Sequence, residues 1–524
     1  VGTQLLVNGR IYTPSSPDAT AMAVTDGIVV WVGADQPGRA LHPDAEVIDL
    51  DGAFVAPAFV DTHVHTTATG LAATGLDLAD STSLPDCLDR LRAYAARTAD
   101  PLIWGQNWDD SRWPDSRPPS VTEIDEVVGN RPVYLSRIDA HSAVCSSALL
   151  RQAGAAGNGL LTGEDHHAVR RAALSALTEA QRDRARRHTL DDAAVNGVVA
   201  LHECAGPEIN GRTDLVELLA FDHGVEVRAY WGEAVASAAE ASALLSATGA
   251  HGLAGDLFVD GAIGARTAWL REPYCDHAGR GNSYLDDATI AAHVRACTEA
   301  GMQAGFHAIG DAAIDAVVAG FERVVAELGS PAVAACGHRV EHLEMIAPEH
   351  IEKLGSWGII ASVQPGFDAL WGGPGGMYAR RLGSVRAASM NPFAPLAAAG
   401  VSLALSSDAP VAPLRPWATI RAAVNHRTEG FAISPRAAFA AATRGAWRAG
   451  GVRDGVAGTL VPGAPASYAV WDADDLVVAA PRDSVQRWST DPRSRVPPLP
   501  RLEADSKDPQ CLRTVHRGTV IYAR

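Results

Sequence analysis

The feature that most constrains this chain is an apolar run that stops abruptly on ionisable groups: Val55-Ala-Pro-Ala-Phe-Val-Asp-Thr-His-Val-His-Thr66, with Asp61, His63 and His65 at alternate positions. On an extended strand, side chains point to opposite faces with a period of two, so His63 and His65 share a face and can reach one metal ion. Four further segments repeat the pattern of an apolar, β-rich run closing on histidine or aspartate: residues 198–202 with Glu203, 303–307, 339–342 and 401–408. A lone His-x-His pair can be an accident of surface or core; five such strand ends in order are much harder to reach by chance. If the strands run parallel, their ends meet on one rim.

From Asp191 onward, strand and helix patterns alternate, as in a parallel sheet with crossover helices. The clearest helix follows Asp311, a plausible N-cap, with Ile314, Val317, Val318, Phe321, Val324, Val325 and Leu328 on one face. Counting the strand before His63, eight strands end near His65, His202, Trp231, Asp260 (read as 257–260), His307, His342, Gln364 and Asp408. A closed (β/α)8 barrel of the TIM type over residues 58–454 is the economical architecture, with chemistry at the C-terminal strand ends. Residues 1–57 and 455–524 are β-rich, with Asn8-Gly9 and Asp26-Gly27 as turn signals, and are expected to pair into one small β-sandwich domain. Residues 70–195 interrupt the alternation after the first strand. They read as an insertion, either a lid over the rim or a packing subdomain, in which Ser120-Val-Thr-Glu123 is a capping box and 132–136 a strand.

Bulk properties exclude several functions. A net charge of −17 without basic runs argues against nucleic-acid or anionic-membrane surfaces. There is no apolar stretch of membrane-spanning length and no signal-peptide pattern, so cytoplasmic residence is the expectation. The seven cysteines are odd in number and never in Cys-x-x-Cys spacing, which disfavours disulfides and structural zinc; Cys204 stands apart by its position beside His202 and Glu203. Neither Gly-x-Ser-x-Gly nor His-Glu-x-x-His occurs.

His63, His65, His307, His342 and Asp408 are therefore the expected metal ligands. Imidazole with carboxylate suits zinc or a similar divalent ion, which brings the pKa of bound water near neutrality and polarises a carbonyl. Asp408, in Ser406-Ser-Asp-Ala-Pro410, is placed to touch the metal and carry a proton from water to leaving group.

These residues and their order resemble the amidohydrolase superfamily nearly end to end. Val259-Asp-Gly-Ala-Ile-Gly-Ala-Arg-Thr-Ala268, His307-Ala-Ile-Gly-Asp311, Arg339-Val-Glu-His342 and Ser407-Asp-Ala-Pro410 are similar to the YtcJ-like branch containing N-substituted formamide deformylase, which also carries a long insertion after the first strand. The resemblance implies a metal-dependent hydrolase of C–N bonds. It also exposes a departure. Many relatives bridge two metals with a carboxylated lysine just ahead of the Asp-Gly motif, where this chain has Asp256-Leu-Phe-Val-Asp260; only Lys353 and Lys507 exist, and neither is near that strand. Either one metal is held or a carboxylate substitutes, with Glu203 the first candidate and Asp260, which could equally anchor the turn before Gly261, the second.

Trp108, His141, Arg266, Gln364, Trp371 and Tyr378 are candidate substrate-binding residues, each with a packing or pairing alternative. A small-molecule substrate is expected, with no nucleic-acid or membrane partner, and a homodimer is compatible with the sequence. The leading reading is hydrolysis of an amide, formamide or related C–N bond; a heterocycle deaminase and a catalytically silent metal-stabilised binding scaffold are the alternatives. The proton-carrying Asp408 speaks against the scaffold.

Overall fold

A computed structural model describes residues 2–110, 113–138, 142–478 and 496–524. The chain divides into two compact units, Val1–His65 with Leu190–Arg524, and Thr66–Thr189.

The first unit contains an eight-stranded parallel barrel: β1 (Phe59–Val64), β2 (Val198–Ala205), β3 (Glu226–Trp231), β4 (Gly252–Leu253), β5 (Gln303–Ala308), β6 (Arg339–His342), β7 (Ile360–Val363) and β8 (Ser402–Leu405). Each strand pairs with its successor in sequence order. All residues of β1, β2, β5, β6 and β7 are buried, as expected when helices cover the outer face and side chains fill the interior. The barrel closes just beyond the ends of β1 and β8, where Asp408 N–H donates to the His63 carbonyl and His65 N–H to the Ala409 carbonyl, both at 2.9 Å.

The fourth strand differs from its sequence reading. Regular pairing covers Gly252–Leu253, and the chain then breaks at Gly255, whose φ is +75°. It rejoins the edge of β5 irregularly, with Val259 N–H donating to the His307 carbonyl and His307 N–H to the Leu257 carbonyl. A side chain at Gly255 would lie 3.0 Å from Cys204 Sγ, so both the positive φ and the close approach require glycine. The helix Asp311–Leu328 has its expected apolar face, with Ile314, Val317, Val318, Phe321 and Val324 buried. Its N-cap, however, is Gly310; Asp311 lies one residue inside and accepts from the Arg271 amide at 2.8 Å.

Segments from both ends of the chain form two further sheets. One contains Thr3–Val7, Ala21–Thr25, Ile28–Gly33 and Glu46–Asp49; the other aligns Arg10–Ile11 and Phe54–Pro57 with Tyr468–Asp472, Gln510–His516 and Thr519–Ala523. Their inner faces share a core that includes Leu6, Met22, Val24, Val55, Tyr468 and Val515, giving the β-sandwich expected of paired termini. Trp471 ties it to the barrel, packing against Phe59 at 5.8 Å and Trp417 at 5.6 Å between ring centroids.

The second unit has a five-stranded sheet with a separate apolar core on each face. Its helix Val121–Val128 opens with the Ser120/Glu123 capping box, and the expected strand is Val133–Arg137. No helix among the described residues is long and apolar enough to cross a membrane.

Candidate metal centre

The C-terminal ends of β1, β5 and β6 and the segment after β8 deliver His63, His65, His307, His342 and Asp408 to one place, and the stretch after Gly255 adds Asp256. His63 Nε2 lies 3.4 Å from Asp256 Oδ1 and 3.5 Å from Asp408 Oδ1. His65 Nε2 is 3.2 Å from Asp256 Oδ2 and 3.4 Å from Asp408 Oδ1, and His307 Nδ1 is 3.4 Å from Asp256 Oδ1. Three triads, His63/His65/Asp256, His63/His342/Asp408 and Asp256/His307/His342, each bring their ligand atoms within 4.8 Å of one another.

Three of the imidazoles are oriented from behind. His63 Nδ1–H donates to Glu341 Oε2 at 2.9 Å, His342 Nδ1–H to Gln364 Oε1 at 2.7 Å, and His307 Nε2–H to the Gly261 carbonyl at 3.2 Å. In each ring the opposite nitrogen faces the centre, where it would coordinate a cation in its deprotonated form. His63 Nε2, His307 Nδ1, His342 Nε2, Asp256 Oδ1 and Asp408 Oδ1 are buried and make no hydrogen bond. Leaving one such atom unsatisfied costs about 1–3 kcal/mol, so five facing inward together fit a divalent cation. Burial disfavours charge on His65, yet Asp256 and Asp408 outweigh it and raise its pKa to about 10. Burial together with the neighbouring His307 and His63 holds His342 down at about 4.

Beneath the cluster, fully buried Arg339 organises the barrel interior. Its guanidinium donates to both oxygens of Glu341 at 2.5 and 2.9 Å, to the Thr62 carbonyl at 2.6 Å and to His202 Nδ1 at 3.0 Å, and it lies 4.4 Å from the Tyr230 ring centroid. Burial opposes ionisation of Glu341, but Arg339 and His63 hold its pKa at about 2. Asp61 accepts from the Ser407 amide at 3.0 Å, fixing the segment that presents Asp408 against β1. His342 and Asp408 have φ of +73° and +57°, conformations a non-glycine residue adopts at a cost of about 1–3 kcal/mol. The rotation at His342 lets both it and the preceding Glu341 serve the cluster, although strand alternation would send adjacent side chains apart.

The structure does not bring Glu203 into the cluster. No candidate ligand group among the described residues contains it, and on β2 it is the neighbouring Cys204 that approaches His63 and Glu341. The carboxylate at the centre is Asp256, whose position the sequence had marked only by its missing lysine. Asp260 instead anchors backbone, accepting from the amides of Trp269, Ile309 and Gly310 at 2.8 to 3.0 Å.

The remaining candidates separate. Trp108 is buried within the second unit with its indole N–H on the Leu135 carbonyl, and Arg266 forms a two-pronged pair with Asp276. Gln364 is a buried orienting partner of His342, its amide nitrogen held by Ser406 Oγ at 2.9 Å. Trp371 and Tyr378 belong to an aromatic series leading away from the centre: Phe367 stacks on His342 at 6.1 Å, Trp371 packs tilted against Phe367 at 4.7 Å, and Tyr378 meets Trp371 edge-on at 6.1 Å. Tyr378 O–H donates to Glu344 at 2.5 Å. His141 lies outside the described residues.

A parallel barrel with imidazoles and carboxylates converging at its carboxyl rim is the framework of a metal-dependent hydrolase. A solved structure of an uncharacterized metal-dependent hydrolase from Pyrococcus furiosus superposes with a TM-score of 0.74 at 25% identity, over 90% of this chain and 99% of that one. The amidohydrolase family model matches residues 46–522, and the chain belongs to that family. It is a hydrolase acting on carbon–nitrogen bonds. Among curated relatives, the putative amidohydrolase YtcJ of Bacillus subtilis is 28% identical over 79% of this chain and 82% of its own length. N-substituted formamide deformylase of Arthrobacter pascens is 24% identical over 81% of this chain and 84% of its own.

Proposed function

We propose that the protein hydrolyses an amide- or formamide-like C–N bond of a small, partly apolar molecule at this centre, with Asp408 moving the proton. The observation that carries the reading is the convergence of five buried nitrogen and oxygen atoms that make no hydrogen bond. His63, His65, His307, His342, Asp256 and Asp408 would hold the cation, for which zinc suits the mixed imidazole and carboxylate donors. Such an ion supplies an activated water near neutral pH and polarises the scissile carbonyl. Asp408 Oδ1, 3.5 Å from His63 Nε2 and 3.4 Å from His65 Nε2, would accept the proton of the attacking water and return it to the departing nitrogen. Phe367 and Trp371 offer an apolar surface beside His342 for the organic part of the substrate. The deformylase relative favours the formamide side of this class. Cytoplasmic residence belongs to the same reading, because all seven cysteines are free, including the exposed Cys275.

The test is turnover of N-formyl amines, acyl amides and aminoheterocycles before and after chelation. Chelator-sensitive amine release from the formyl or acyl compounds is expected. Ammonia release confined to the aminoheterocycles, or no chelator-sensitive turnover on any class, overturns the reading.

A further inference from the structure

We propose that Asp256 is a built-in bridging carboxylate that holds two divalent cations together, and that the centre therefore loads without carbon dioxide. The inference rests on the hydrolase reading of the cluster and adds to it the number of ions and the identity of the group between them.

The two oxygens of Asp256 serve different neighbours. Oδ1 lies 3.4 Å from both His63 Nε2 and His307 Nδ1, whereas Oδ2 lies 3.2 Å from His65 Nε2. A tetrahedral ion with bonds of about 2.0–2.1 Å to nitrogen and oxygen would set neighbouring donor atoms about 3.3 Å apart, which these separations match. Asp256 is the one residue common to the triads His63/His65/Asp256 and Asp256/His307/His342, and the third triad, His63/His342/Asp408, joins the two sides across the centre. One tetrahedral ion takes four donors, whereas the cluster offers four imidazoles and two carboxylates. A single ion would strand buried donors at about 1–3 kcal/mol each.

No lysine can take the bridging role. Lys353 is engaged with Glu322 at 2.8 Å on helix Pro348–Ser356, and Lys507 lies in the C-terminal segment. A lysine bridge needs a carboxyl group captured from dissolved carbon dioxide; an aspartate carries its own. The shorter side chain reaches the centre because the chain breaks at Gly255 and approaches Cys204 closely, bringing residue 256 inward.

The experiment strips the full-length protein with a chelator and reloads it with Zn2+ or Mn2+, in buffer purged of carbon dioxide and in buffer with added bicarbonate. Two ions per chain by elemental analysis are expected under both conditions, and the Mn2+ form should show the spin-coupled electron paramagnetic resonance spectrum of a bridged pair. Asp256→Asn should lose at least one ion and the coupling, whereas Asp256→Glu, which keeps a carboxylate, should regain the second ion at lower affinity. Thermal unfolding of each variant confirms that the comparison is between folded proteins. One ion per chain in the unaltered protein, loading that requires bicarbonate, or full coupling in Asp256→Asn overturns the proposal. One ion with chelator-sensitive turnover would sink the bridge and leave the hydrolase reading intact; a coupled pair without turnover would do the reverse.

Discussion

His63 offers Nε2 to the centre because Glu341 takes the proton on Nδ1, and Glu341 stays ionised in a fully buried position because Arg339 grips both its oxygens. Glu341→Gln keeps the shape and removes the charge. Metal affinity should fall about 10–100-fold, read by competition with a chromophoric chelator, as for other partners of metal-bound histidines. Stability should also drop by about 3–5 kcal/mol in chemical denaturation, because Arg339 is left as a buried charge without its counterion. Asp408→Asn should behave differently: metal content by elemental analysis is retained while turnover falls about 10²–10⁴-fold. At this scale the sequence showed much of the centre. His63, His65, His307, His342 and Asp408 are strand-end residues whose spacing announces their shared face or shared rim. Asp256 was hidden because it precedes the segment read as a strand, although an acid standing where relatives place lysine was the available signal. Glu341 was quoted within its motif but given no role, because its partner His63 lies 278 residues away in sequence.

Elements carry the next level of control. The break in the fourth strand depends on Gly255, and Gly255→Ala should cost about 1–2 kcal/mol from its left-handed backbone alone. Because Asp256 moves with it, the thermal shift should be accompanied by weaker metal binding in the same chelator competition. Helix 287–299 and the segment entering β6 bury two neutral histidines. His293 accepts from the Val235 amide and donates to the Leu253 carbonyl; His338 accepts from the Ala304 amide and donates to Thr298. Burial lowers their pKa values to about 4 and about 3, against 6.5 in the unfolded chain. Between pH 6.5 and these values the unfolded chain binds more protons, so stability is fully present above pH 6.5 and is lost as pH falls toward 4 and then 3. Each contributes on the order of a few kcal/mol to that slope. Chelated protein carrying His293→Gln and His338→Gln should unfold with a flatter pH dependence than the chelated parent, measured by calorimetry from pH 7 to 4. The alternating strands and helices were legible because each is set by local periodicity. Strand four was misplaced because its course follows β5 and Cys204, contacts distant in sequence. Trp108, Arg266 and Gln364 likewise have partners fixed by the fold, which residue type alone does not disclose.

At the scale of the whole molecule, the barrel closes through the residues that form its centre. The amide of Asp408 reaches the carbonyl of His63, and the amide of His65 reaches the carbonyl of Ala409, joining parts of the chain more than three hundred residues apart. A cation held by His63, His65 and Asp408 would therefore act as a hoop on the last seam of the staves. Anything that binds the closed form alone stabilises it by RT ln(1 + [L]/Kd), about 4 kcal/mol at a thousandfold excess over Kd. Hydrogen exchange at the His65 and Asp408 amides should accordingly slow by orders of magnitude on loading, while distant amides such as those of Val24 and Val515 in the terminal sheets slow far less. Loss of the ion would then do more than silence the chemistry: the seam between the first and last staves would become the place where the cylinder opens.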